Sequence, residues 1–90
     1  MNRQQAQSLK QTITDQAEQV GIECEWLLET GTLVMKRNGQ IKFSFSLRSG
    51  IQKEVDDLKS IINKNIPSGK IRVCNMMEAY RPEIRVTVTF

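Results

Sequence analysis

From Ala6 onward, apolar residues recur every three or four positions, at Ala6, Leu9, Ile13, Ala17 and Val20. This spacing predicts an amphipathic helix from Gln4 to Val20, and Gly21 stands where a terminating glycine belongs. The period then changes to two. Ile22, Cys24, Trp26 and Leu28 alternate with Glu23, Glu25, Leu27 and Glu29, the pattern of a strand with one buried face. Thr30-Gly31 signals a turn and Leu33 to Arg37 a second short strand. Asn38-Gly39 then signals a hairpin, because both residues tolerate positive φ. In the third strand Ile41, Phe43, Phe45 and Leu47 alternate with Lys42, Ser44, Ser46 and Arg48. Three consecutive strands with short turns read as an antiparallel meander.

Ser49, with Gln52 three residues on, has the spacing of a capping box. Ile51, Val55, Leu58 and Ile62 continue as a helical stripe, so a second helix is expected from Gly50 to Asn65. Pro67-Ser68-Gly69 ends it. Lys70 to Asn75 reads as a fourth strand, and Met76 to Tyr80 fits strand or turn. After Arg81-Pro82, Ile84, Val86, Val88 and Phe90 alternate with Arg85, Thr87 and Thr89, a fifth strand. The order αβββαββ predicts one α+β domain over residues 1–90. Its economical packing is an antiparallel five-stranded sheet with two helices on one face. Ile84–Phe90, last in the chain, reads as an edge strand through which two copies could pair as a homodimer.

Composition narrows the class without naming a function. Apolar residues make up 39% and charged residues 26% of the ninety, ordinary values for a globular domain. No apolar run approaches the roughly 18–20 residues of a membrane span. The start, MNRQQAQSLKQ, lacks the apolar core of a secretory signal. Cys24 and Cys74 match no zinc or CxxC spacing, which fits reduced thiols and a cytoplasmic location.

Charge is distributed unevenly. Residues 1–35 carry two basic and five acidic groups, a net of −3, whereas residues 36–90 carry eleven basic and five acidic, a net of +6. With helices on one sheet face, the other would display Lys42, Ser44, Ser46, Arg48, Arg72, Arg85, Thr87 and Thr89, with Glu23 and Glu25 from the first strand. Basic and hydroxylated side chains on one surface suit phosphate contacts. Lys36, Arg37, Lys42, Arg48, Arg72, Arg85, Tyr80 and Arg81 are the candidate binding residues.

The chain has no histidine. That removes Ser-His-Asp and Cys-His catalysis, the usual zinc sites and the commonest general base. No phosphate-binding glycine loop or nucleophile-elbow motif is present. Glu23, Glu25, Asp56, Asp57 and Glu83 could in principle hold Mg²⁺, but nothing in their spacing makes them converge, and solvated surface acids are the simpler reading. Phe43 and Phe45 share the apolar phase, which disfavours base stacking on the open face. Trp26 is in phase with Ile22 and Leu28 and is expected in the core.

In element order, αβββα resembles double-stranded-RNA-binding domains and small toxin ribonucleases. The second helix opens Ser49-Gly50-Ile51-Gln52-Lys53, without the lysine cluster of the former, and the chain lacks the histidine of the latter. No family is assigned. The expectation is a non-enzymatic protein with no cofactor and no metal, contacting RNA or DNA backbone through a basic sheet face. The alternative is a protein-interaction module, such as a phage or mobile-element encoded inhibitor or adaptor that binds a host protein complex.

Overall fold

Asn2 starts the first helix, α1 (Arg3–Gln19), with a full capping box. Its Oδ1 accepts from the Gln5 N–H at 2.8 Å, while the Gln5 side chain accepts from the Asn2 N–H at 2.9 Å. Both bonds satisfy N–H groups that a helix start leaves open. At the other end Gly21 adopts φ +84°. The Gly21 N–H donates to Glu18 O and the Ile22 N–H to Ala17 O, the paired bonds of a Schellman motif. The expected helix and its glycine stop are both present.

The computed structural model describes residues 2–22, 24–26, 33–35, 38–47, 51–78 and 81–90, without side chains at 24–26, 33–35, 76–78 and 81–83. After α1 come β1 (Cys24–Trp26), β2 (Leu33–Met35), β3 (Ile41–Leu47), α2 (Gln52–Asn65), β4 (Lys70–Glu78) and β5 (Arg81–Thr89). The element order αβββαββ agrees with the sequence pattern. Strand β4 takes in Met76 and Met77, where the pattern was ambiguous.

The sheet itself corrects the expectation of five strands. Its body is three-stranded and antiparallel, in the order β3–β5–β4. β1 and β2 are three-residue segments that both pair antiparallel with β3. Trp26 pairs with Phe45 and Leu33 with Phe43, so the two lie end to end in one lane beside β3. A continuous strand would use one residue opposite Ser44, where this chain has six, 27–32. Alternation in the sequence shows that a segment is extended, but it does not show which lane the segment occupies.

A second correction concerns β5. It lies between β3 and β4 rather than at an edge, so the homodimer expected through Ile84–Phe90 has no free ladder to use. Pro82 is tolerated in β5 because it precedes Ile84, the first β5 residue that pairs with β3. No bond to β3 is lost there. A third correction concerns α2. It begins at Gln52 with Ile51 as N-cap and no side-chain capping bond, so the Ser49–Gln52 box is not the helix start. Ser49 itself lies outside the described residues.

Both helices pack on one sheet face, as the two apolar stripes require. Ile41, Phe43, Phe45 and Leu47 from β3 and Val86 and Val88 from β5 form one buried cluster with Ala6, Ile13, Ala17, Val55, Leu58 and Ile62. Asn65 Nδ2 joins the helices by donating to Gln16 Oε1 at 2.9 Å. Trp26, expected in this core, has no described side chain. Among the described residues no helix is long and apolar enough to cross a membrane.

Candidate nucleic-acid interface

The face opposite the helices follows from register. Residues paired across neighbouring strands project to the same side, and side chains alternate along each strand. Three rows cross the sheet body: Lys42–Thr89–Lys70, Ser44–Thr87–Arg72 and Ser46–Arg85–Cys74. These nine positions hold four cations, four hydroxyls and a thiol, while Glu25 beside Ser46, and Glu83 and Glu78 farther along β5 and β4, fall on the same face by register. Lys42, Lys70 and Arg72 are exposed. From strand geometry, Lys70 and Arg72 stand about 7 Å apart along β4, and Lys42 about 10 Å from Lys70 across two strand spacings. That spread exceeds one phosphate group and suits two or three along a polynucleotide backbone.

Arg85 plays a different part. It is half-buried and already engaged within the chain, as is Ser46. The expected wet face is therefore not wet throughout. Ser44 and Ser46 are buried, two short side chains on an inner strand. Ser44 Oγ and Thr87 Oγ1 share a hydrogen bond of 2.9 Å, which satisfies a hydroxyl that burial would otherwise penalise.

Of the residues selected from sequence, Lys42, Arg72 and Arg85 come together on this face. Arg81 lies at the start of β5, paired with Glu78, and its side chain is not described. Lys36, Arg37, Arg48 and Tyr80 lie outside the described residues. Lys70 is the addition. Its signal was present in the sequence, because it stands two residues before Arg72 on the same strand.

The described aromatic rings, Phe43, Phe45 and Phe90, are on the other side. Phe43 meets Phe45 and Phe90 edge-to-face, each at a centroid distance of 5.6 Å. No stacking platform therefore joins the cations among the described residues, and recognition there would rest on charge and hydroxyls.

Lys10 was missed altogether, although it lies four residues after Ala6 and three before Ile13, within the apolar stripe. It is 1% exposed. Burial lowers its pKa from 10.5 to about 8. A lysine of lowered pKa can act as a nucleophile or base, but this one is enclosed by core and offers a substrate no approach. Nor, among the described residues, do three or more Cys, Asp or Glu gather as a metal site would require. No family model matches the chain, and no curated protein or solved structure matches it either.

Proposed function

We propose that this domain binds the phosphate backbone of RNA or DNA through the sheet face bearing Lys42, Lys70 and Arg72. The observation that carries the reading is three exposed cations, Lys42, Lys70 and Arg72, gathered at one end of a sheet face whose carboxylate positions, Glu25, Glu78 and Glu83, fall toward the other end. The flanking hydroxyls of Thr87 and Thr89 can add hydrogen bonds to phosphate or sugar oxygens. With no ring on that face among the described residues, binding is weakly sequence-selective and strongly salt-dependent. This role needs no catalytic group and fits a cytoplasmic protein.

Fluorescence anisotropy with labelled RNA and DNA oligonucleotides across a salt series tests it. Lys42→Glu combined with Arg72→Glu should weaken binding by roughly tenfold or more and lower the salt slope by about 2. Both residues are exposed, so the fold should persist. A wild type without affinity at low salt, or a folded double variant that binds as well, would overturn the reading. The protein-interaction alternative, an inhibitor or adaptor on a host protein complex, has one observation in its favour: among the described residues β4 has a strand on one side only.

A further inference from the structure

β4 is nine residues long, and its pairing with β5 runs without a break from Lys70–Thr89 to Glu78–Arg81. It holds no proline and no bulge, two of the devices that protect sheet edges. Which of its backbone groups face outward follows from β5. The Phe90 N–H donates to Ile41 O and the Ile41 N–H to Phe90 O, so residue 90 bonds toward β3. By alternation, residues 84, 86 and 88 of β5 also bond toward β3, while 81, 83, 85, 87 and 89 bond toward β4. Their partners 70, 72, 74, 76 and 78 thus spend their N–H and C=O groups inward. Ile71, Val73, Asn75 and Met77 are left with theirs directed away from β5, at an edge that no other described strand covers, two groups on each of four residues, eight in all.

These four positions complement themselves. In an antiparallel pair about a twofold axis, bonding residues must share parity, so only registers with an even sum of partner numbers work. A sum of 148 pairs Ile71 with Met77 and Val73 with Asn75, each twice, and satisfies all eight groups. A shift of two residues to either side leaves some of them open. The same register sets Lys70 opposite Glu78 of the partner subunit at both ends of the joint, a charge match that the twofold repeats. Val73, 40% exposed in the single chain, is an apolar side chain on this edge.

We propose that two copies of this chain join through β4, antiparallel about a twofold axis at Cys74, to make one sheet ordered β3–β5–β4–β4–β5–β3. The axis stands perpendicular to that sheet. The faces bearing Lys42, Lys70 and Arg72 in the two subunits therefore lie on the same side and form one continuous surface. The joint itself depends on β4 alone and stands whether or not that surface binds nucleic acid.

The register makes a further commitment. Cys74 bonds inward to Arg85, so across the joint it opposes Cys74 of the partner subunit as a non-hydrogen-bonded pair, with Cα atoms about 4.5 Å apart. That is within disulfide range. Cys74 is a free, half-buried thiol in the single chain.

Sedimentation velocity of the full chain at high micromolar concentration, with reductant, should give twice the chain mass. Val73→Pro removes an outward N–H and leaves the β4–β5 ladder whole, so it should sediment as a monomer with an unchanged circular dichroism spectrum. Lys70→Glu and Glu78→Lys should each shift the mass toward the monomer, and the two together should restore the dimer, which serves if the proline variant does not fold. Diamide should take two electrons and two protons from the paired thiols and leave a covalent dimer that Cys74→Ser does not form. A wild type that stays monomeric overturns the proposal, as does a folded Val73→Pro dimer. Failure of the oligonucleotide titration alone would leave it standing.

Discussion

Lys10 Nζ lies 5.5 Å from the centroid of the Phe45 ring and 5.9 Å from that of Phe43. A helix lysine thus caps the two aromatic residues of an inner strand, inside the core. Ring faces attract a cation by about 0.5–2 kcal/mol, depending on how far it is desolvated. Burial acts in the opposite direction. It lowers the pKa from 10.5 to about 8, which corresponds to about 3 kcal/mol against the charged form. Desolvation is the larger effect.

The first prediction follows from the sign of that shift. Between pH 8 and 10.5 the unfolded chain keeps a proton that the folded chain has released. Unfolding then takes up a proton, so this residue's contribution to stability rises with pH across the window and is least favourable below it. Lys10→Met keeps the length of the side chain and removes the charge. Its stability relative to the parent protein should therefore be more favourable at pH 7 than near pH 10, by about 2 kcal/mol. Urea denaturation of both proteins at the two pH values measures the difference, in which the other titrating groups cancel. An equal difference at both pH values would show that Lys10 does not lose its proton in this window.

How much could be read from the sequence is clearest at Phe43 and Phe45. Their alternation with Lys42, Ser44 and Ser46 set the buried phase of β3, and Val86 and Val88 did the same for β5. The face carrying the candidate site was legible for the same reason. The lateral order was not. A period of two fixes which side a residue faces and says nothing about its neighbours, so β5 read as an edge although it lies between β3 and β4. Nor did alternation distinguish one interrupted lane, β1 and β2, from two full strands. Lys10 is not legible because a charge is expected outside, and Ser49 has the local spacing of a cap although the N-cap is Ile51. Lys70 could have been found by extending the Arg72 phase by two residues.

The second prediction concerns the strand phase that this reading depends on. Phe45 is 1% exposed and meets Phe43 edge-to-face. Phe45→Ala should cost about 3–5 kcal/mol, because the cavity beneath α1 cannot fully collapse. In a domain whose total stability is about 5–15 kcal/mol, the variant should lose a large share of its urea midpoint. Ser44→Ala, one position away, removes a single hydrogen bond and should cost about 0.5–1.5 kcal/mol. Similar costs for the two would place the phase the wrong way round.

The third prediction separates two glycines that fail for different reasons. Gly39, in the turn before β3, has φ +84° and nothing within 4 Å of an added Cβ. Its constraint is the backbone alone. Gly39→Ala should therefore cost about 1 kcal/mol, and Gly39→Asn less, because asparagine tolerates that region. Gly69, just before β4, is constrained by space. A Cβ there would lie 2.8 Å from Val88 Cγ2 and 2.9 Å from Ile66 Cγ2. Both neighbours are buried, at 0% and 4% exposure, so neither can swing into solvent. Gly69→Ala should cost about 1–3 kcal/mol, and Gly69→Asn more, the reverse of the order at Gly39. Val88→Ala removes the obstructing methyl, so the Gly69→Ala/Val88→Ala pair should be less destabilised than the sum of its single variants. Urea midpoints of these variants measure the coupling. Strict additivity would mean that Val88 is not what excludes a side chain from position 69.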